Sequence, residues 1–130
     1  MRHLAVLCLL VLALASPRLA TGTDQNRPVM DVIIVDTNDD LDGFLDKMKR
    51  LQGVADRLDL DATLRVFRNT FAADQTGEVR LYWELPSFRA FADAETKLHN
   101  DAEFLAILKQ LDEAGQGFES ELLSIEITRK

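Results

Sequence analysis

The side chains best suited to chemistry in this sequence are basic, acidic and phenolic groups on three predicted strands. Those predicted to share one side of the sheet as a ligand site are Arg65, Phe67, Arg80, Tyr82, Glu84 and Glu126. Same-side residues on neighbouring strands lie close enough to pair or to converge on a ligand. Two guanidinium groups could hold a carboxylate or a phenolate while Tyr82 supplies a hydroxyl group. The alternative interpretation is a ladder of Arg–Glu ion pairs that binds nothing.

A second candidate site combines an amide, an indole and an imidazole. Asn38 follows the first predicted strand, Trp83 lies on the third, and His99 lies on the second predicted helix. His99 adjoins a predicted helix bend, where a solvated histidine is ordinary. Trp83 alternates onto the helix-facing side of its strand, where a core role is the simpler interpretation. A pocket and ordinary structural roles therefore both stay open for these residues.

The sequence lacks the patterns typical of metal and cofactor sites. Histidine, cysteine and carboxylate residues do not cluster at metal-ligand spacing, so we expect no zinc. A nucleophile elbow, a phosphate loop and a dinucleotide fingerprint are also missing. Asp39 and Asp40 lack the spaced oxygen ligands of an EF-hand loop, and helix capping explains them. We therefore expect no metal and no cofactor.

Residues 78–85 indicate the architecture most clearly, because polar and apolar residues alternate there without interruption. Arg80, Tyr82 and Glu84 fall on one side of a strand, while Leu81 and Trp83 fall on the other. The apolar side must lie under helices. Further strands are predicted at 29–36, 63–71 and 119–128, and the turn at 72–77 joins the second and third strands into a hairpin.

Two amphipathic helices are predicted between these strands. The first is capped by Thr37 or Asn38 and carries an apolar stripe that ends at Leu58. The second is capped by Ser87, bends near residues 100–101 and ends at Gly115 and Gly117. The order β-α-β-β-α-β predicts an α+β, ferredoxin-like fold with a four-stranded antiparallel sheet and both helices on one face.

The opposite sheet face is left uncovered by this arrangement. We expect it to carry residues from all four strands: Asp31, Ile33, Val35, Arg65, Phe67, Asn69, Arg80, Tyr82, Glu84, Ser124 and Glu126. This mixture is too apolar for a solvent face and too polar for a dry core. A second subunit that covers this face would resolve the conflict.

Residues 82–88 (YWELPSF) and 97–104 (KLHNDAEF) resemble the dimeric α+β barrel superfamily, and the resemblance extends over about residues 30–127. The superfamily includes antibiotic-biosynthesis-type monooxygenases, heme-degrading monooxygenases and NIPSNAP-like proteins. The chain is most similar to small exported bacterial members of unassigned function. The resemblance implies a homodimer in which two sheets pack face to face to close a barrel. Heme-degrading members use an Asn, Trp and His set, which Asn38, Trp83 and His99 match by residue type.

The N-terminal 22 residues are typical of a secretory signal peptide. A short basic start precedes an apolar run at 4–14, and cleavage is expected after Ala15 or Gly22. Residues 23–28 then form a flexible terminus, and 29–130 form a single domain. Cys8 is the only cysteine, so the mature chain should contain no disulfide. We expect an exported protein, periplasmic or extracellular.

The charge excludes some classes of partner. The chain has a formal net charge of −7, and removing Arg2 and Arg18 leaves 13 basic against 22 acidic residues, or 13 − 22 = −9. Nucleic acid is therefore not expected as a partner, and neither is stable membrane association. The expected partners are a second copy of the chain and a small organic molecule.

Three functions remain in view from the sequence. The first is an exported homodimeric α+β barrel that binds a small anionic or phenolic organic molecule at the open sheet face. The second is a cofactor-independent or heme-directed monooxygenase in which the same residues position the substrate. The third is a structural dimer without a ligand. The residues leave open whether the protein is an enzyme.

Overall fold

The computed structural model describes residues 26–70 and 77–126, which contain four strands and three helices. The elements are β1 (Val29–Asp36), α1 (Leu41–Arg57), β2 (Thr63–Arg68), β3 (Val79–Leu85), α2 (Phe88–His99), α3 (Ala102–Glu113) and β4 (Gly117–Ile125). The strands form one antiparallel sheet in the order β2-β3-β1-β4. This confirms the predicted α+β fold. The predicted signal peptide, the tip of the β2–β3 hairpin and the end of the last predicted strand lie outside the described residues.

The turn between β1 and α1 is tighter than predicted. Asn38 and Asp39 both have positive φ, at 49° and 59°, and the Asp40 amide donates to the Thr37 carbonyl at 3.0 Å. Positive φ at both central residues is characteristic of type I′ turns, and Asn and Asp tolerate it best after glycine. The prediction that Thr37 or Asn38 caps the helix is wrong. Asp40 is the cap, and its carboxylate accepts the Gly43 amide at 2.9 Å.

The second predicted helix is two helices, α2 and α3. Ser87 caps α2 as predicted, and its hydroxyl oxygen accepts the Ala90 amide at 3.1 Å. The chain breaks at the predicted bend, where Asp101 caps α3 by accepting the amides of Glu103 and Phe104, each at 3.0 Å. The bend starts a second helix at Asp101, so α2 and α3 can follow different directions across the core.

The pairing of β1 with β3 decides which side of β1 faces the helices. Asp31 stands opposite Trp83 and Ile33 opposite Leu81, so all four side chains lie on the helix side and all are buried. The prediction that Asp31, Ile33 and Val35 belong to the open face is therefore wrong. The β1 side chains that do lie on the open face are those of Met30, Val32 and Ile34. The error arose because both sides of β1 are apolar, so its alternation does not choose a face.

The core fills the space between the sheet and the helices. Its most buried large side chains are Phe44 from α1, Val54 from α1, Leu81 from β3 and Ile107 from α3. Each comes from the apolar stripe or apolar side that its own element presents to the sheet. None of the helices in the described parts of the chain has the length and apolar character needed to cross a bilayer.

Truncating Ile33 tests the assignment of β1. Ile33 is 6% exposed, so Ile33→Ala should lower the free energy of unfolding by about 2–5 kcal/mol in a urea titration. The matched control is Leu105→Ala on α3, where Leu105 is 46% exposed and the loss should stay below about 1 kcal/mol. Equal losses in the two variants would contradict the register.

Candidate functional site

The open face of the sheet gathers five of the residues predicted as a ligand site. Arg65 pairs with Tyr82, and Phe67 pairs with Arg80, across the β2–β3 ladder. Arg65 makes an ion pair with Glu84 at 3.2 Å, and the Phe67 ring meets the Tyr82 ring edge-to-face at 5.1 Å between centroids. The guanidinium group of Arg80 binds the Glu78 carboxylate at 2.5 Å. Both Arg side chains are thus engaged with carboxylates of the same chain.

Glu126 is distant from the Arg80 end of this cluster, although it lines a second pocket together with Glu84. It follows the end of β4, where its amide donates to the Pro28 carbonyl at 2.9 Å. Arg80 lies beside Ile34 of β1, six positions further along that strand. At roughly 3.3 Å per residue, Glu126 and Arg80 are about 20 Å apart along the sheet. The sixth predicted ligand residue therefore lies at the Glu84 end of the face, away from Arg80.

A cavity lies on the other side of the sheet, between the strands and the helices. Its volume is about 350 Å³, which is within the range of small-molecule sites. The apolar wall includes Ile33, Leu81, Trp83, Phe91, Leu98 and Phe104. At one end the lining residues Asp112, Gly115 and Glu119 are exposed, so the cavity reaches solvent beside β4.

Two residues build the β4 end of the cavity. Gln116 is buried, and its amide group donates to the carbonyls of Thr37 and Asp40 at 3.0 and 2.9 Å while its oxygen accepts Lys47 Nζ at 2.9 Å. Gly115 has φ of 67° and lies against the Asn38 side chain, where an added Cβ would come within 3.0 Å of Nδ2. The sequence therefore requires glycine here, and the chain turns sharply from α3 into β4.

Asp31 is the most unusual group in the cavity wall. It is 3% exposed, and within the described chain its Oδ1 has no hydrogen-bond partner. Burial, the nearby charge of Glu121 and a hydrogen bond with the Glu121 carboxyl raise the pKa of Asp31 from 3.8 to about 8, and Glu95 adds a smaller effect in the same direction. Two carboxyl groups share a hydrogen bond only if one carries a proton, and the raised pKa of Asp31 favours its protonated form at neutral pH.

Glu95 and His99 form a pair on the α2 side of the cavity. Burial raises the pKa of Glu95, while the His99 ring opposes that shift and Glu121 reinforces it. Nδ1 of His99 lies 2.8 Å from the Glu95 carbonyl oxygen and 3.7 Å from its carboxylate. Since a carbonyl oxygen only accepts, Nδ1 carries the hydrogen. The His99 ring also packs edge-on against Phe104 at 5.5 Å.

Of the second predicted set, Asn38, Trp83 and His99, the structure brings two residues together. Trp83 and His99 both line the cavity, one from β3 and the other from α2. Asn38 instead lies at the β1–α1 turn, where its side-chain amide donates to the Ala114 carbonyl at 2.9 Å. Asn38 therefore supports the β4 end of the cavity through Gly115 and is absent from its described lining.

The carboxyl groups around the cavity were missed by sequence reasoning. The sequence pattern predicts Asp31 on the open face and gives no signal for Glu95 or Glu121. They come from β1, α2 and β4: the pairing of β1 with β4 brings Asp31 and Glu121 together, and the packing of α2 adds Glu95. The one signal in the sequence was an aspartate inside a strand that is otherwise rich in β-branched residues. Among the described residues, the acidic and histidine side chains form no group suited to a metal ion.

Solved structures show what the fold resembles. A NIPSNAP family protein from Agrobacterium tumefaciens matches with a TM-score of 0.58 at 16% identity, over 77% of this chain and 90% of that chain. A second NIPSNAP family protein with unknown function from the same organism matches with a TM-score of 0.55 at 13% identity, over 78% and 87%. No protein-family model and no curated protein matches the sequence. The resemblance to NIPSNAP-like proteins is thus confirmed at the level of the fold.

Stability should depend on pH through Asp31. Between about pH 4 and pH 8 the unfolded chain has released this proton while the folded chain keeps it, so the free energy of unfolding should fall as pH rises. The slope from this one group should be at most about 1.4 kcal/mol per pH unit. Asp31→Asn should flatten the profile and raise stability at pH 8, as measured by urea unfolding at several pH values.

Two other groups with shifted pKa values bear on the pH dependence of stability. Hydrogen bonding to Arg57 and backbone amides lowers the pKa of Asp101, so that group acts only below its ordinary value of 3.8, outside this window. Glu95, whose pKa is raised, adds a slope of the same sign. An unchanged profile in Asp31→Asn would contradict the buried, protonated state of Asp31.

Proposed function

We propose that this chain, which shares its fold with NIPSNAP family proteins, binds a small apolar organic molecule in the cavity between the sheet and the helices. The proposal rests on one observation: an apolar cavity of about 350 Å³ whose wall holds a buried carboxyl oxygen without a partner. Binding pockets typically combine such a wall with a few polar groups that orient the ligand. The unpaired oxygen costs stability in the empty protein, and a ligand that pairs with it recovers that cost.

The helix-side cavity is a better ligand site than the open sheet face. On the open face, Arg65 and Arg80 are already held by Glu84 and Glu78, so an anionic ligand would have to displace these carboxylates. In the cavity the apolar wall is preformed, and Asp31 Oδ1 is available. The proposed site therefore moves to the helix side, while the class of function, binding of a small organic molecule, stays as expected from the sequence.

Pyrene, a neutral apolar fluorophore, tests occupancy of the cavity. The protein should bind pyrene with micromolar affinity, and Ala94→Phe should abolish binding because Ala94 is buried in the cavity wall. The control Ala106→Phe places the same ring on the exposed side of α3 and should bind as wild type does. Circular dichroism confirms folding of both variants. The milder Ala94→Leu should give intermediate affinity.

A substitution on the open face tests whether pyrene binds there instead of in the cavity. Arg80→Ala should leave pyrene binding unchanged, because Arg80 lies on the side of the sheet away from the cavity. Loss of binding in Arg80→Ala with retention in Ala94→Phe would reject the cavity and return the site to the open face.

A second candidate function, a cofactor-independent oxygenase, uses the same cavity. It is favoured by Asp31, because a carboxyl group with a pKa near neutrality can exchange a proton with a substrate at physiological pH. A heme-directed version fits poorly: the heme propionates would meet a lining with five carboxyl groups and, among the described residues, no Lys or Arg. Oxygen uptake with quinols that disappears in Asp31→Asn would favour the enzyme, and absence of uptake would reject it.

We also propose that a second copy of the chain covers the open face. Three of the four large hydrophobic side chains exposed in the described chain lie there: Met30, Phe67 and Leu122, at 36%, 49% and 64% exposure. On the β2–β3 half of the face the charged groups balance, with Arg65 and Arg80 against Glu78 and Glu84, although the chain as a whole carries −7. A neutral, partly apolar face can meet its own copy without the repulsion that other acidic surfaces would suffer.

Sedimentation tests the homodimer. The wild-type chain should sediment as a dimer at micromolar concentration, and Leu122→Arg should make it monomeric by placing an unpaired charge in the interface. Leu105→Arg, on an exposed leucine of α3, should remain dimeric. A monomeric wild type, or equal behaviour of the two variants, would contradict the interface.

A further inference from the structure

We propose that the cavity selects organic cations: its ligand is a small apolar amine whose ammonium group binds Asp31 and Glu95 while its apolar body lies against Trp83 and Phe91. This inference rests on the proposed function, since it names the ligand class for the same cavity. It also reverses the anionic or phenolic ligand expected from the sequence. The Arg–Glu pairs of the open face play no part in this inference.

The charge of the lining is the first argument. Five residues that line the cavity carry carboxyl groups, namely Asp31, Asp36, Glu95, Asp112 and Glu119, and no Lys or Arg is among the described lining residues. Lys47 reaches Gln116 Oε1 and the Gly43 carbonyl. Three of these carboxyl groups, on Asp36, Asp112 and Glu119, are exposed, so the solvent-facing part of the cavity carries a negative potential that attracts cations and disfavours anions.

The unpaired oxygen of Asp31 is the second and independent argument. The side chain is 97% buried in the cavity wall, and no described group donates to Oδ1. The neighbours that face Asp31 are Glu121 on β4 and Glu95 on α2, both of which disfavour its negative charge. Among the described residues that line the cavity, His99, beside Glu95, is the only basic side chain. An ammonium group would supply the missing donor and the missing positive charge together.

The aromatic neighbour of Asp31 supplies a second anchor. Trp83 is its direct cross-strand partner, so the indole lies beside the carboxyl on the same sheet face. Ammonium groups are attracted to indole faces, and the attraction grows where water is excluded. A carboxylate with an adjacent tryptophan in an apolar cavity therefore fits an ammonium group on an apolar body.

Binding of the amine should release a proton. In the empty protein Asp31 holds a proton at neutral pH, shared with Glu121, and an ammonium group binds well only to the ionised carboxylate. The affinity for an amine should therefore weaken by up to about tenfold per unit as pH falls below 8, while a neutral ligand keeps a constant affinity. Burial also raises the pKa of Glu95, which should add a dependence of the same sign.

Three ligands with similar aromatic bodies test the selectivity by isothermal titration calorimetry: phenethylamine, phenethyl alcohol and hydrocinnamate. At pH 8 the amine should bind at least about tenfold more tightly than the alcohol, and the carboxylate should show no binding. Titrations at pH 7 in buffers of different ionisation enthalpy should show release of close to one proton per amine. Asp31→Asn should remove the amine preference and the proton release but keep the alcohol affinity.

The matched control and the contrary outcomes separate this inference from the proposed function. Asp46→Asn removes an exposed carboxylate that pairs with Lys49 at 3.1 Å, and it should change none of these values. Equal affinities for amine and alcohol, or an unchanged preference in Asp31→Asn, would overturn the cation selectivity while leaving the cavity as a binding site. Failure of all three ligands and of pyrene to bind would overturn both.

Discussion

The pairing register of β1 against β3 is the constraint on which the rest of this structure depends. By placing Asp31 opposite Trp83, it puts a carboxyl group on the side of the sheet that the helices cover. A shift of one residue would exchange the two sides of the strand, because strand side chains alternate. Met30, Val32 and Ile34 would then lie in the core, and Asp31 would face outward. The same register therefore sets the composition of the cavity and of the open face.

Burial of Asp31 works against stability, and the fold tolerates it because the surrounding core is extensive. Phe44, Leu81 and Ile107 are fully buried and form the continuous apolar layer between the sheet and the helices. Proteins retain such unfavourable groups most often where a ligand or a reaction uses them. Its environment raises the pKa of this carboxyl group, and a partner of opposite sign would favour the ionised form.

The two faces of the sheet thus have separate roles in the proposed protein. The helix side encloses a cavity with an acidic, partly apolar wall. The open side carries balanced Arg–Glu pairs and exposed hydrophobic groups, which suits contact with another copy of the chain. Since β1 and β3 contribute to both faces, a ligand in the cavity and a partner on the open face would contact the same two central strands.

The sequence by itself determined the order of elements, the β2–β3 hairpin, the Ser87 cap and the bend before Asp101. These features depend on local periodicity and on capping groups a few residues apart, which a sequence displays directly. The tertiary structure alone decided the facing of β1 and the meeting of Asp31, Glu95 and Glu121. Both sides of β1 are apolar, so only its long-range pairing with β3 determines which side faces the helices. The three carboxyl groups are far apart in the chain: the antiparallel pairing of β1 with β4 brings Asp31 and Glu121 together, and Glu95 reaches them from α2.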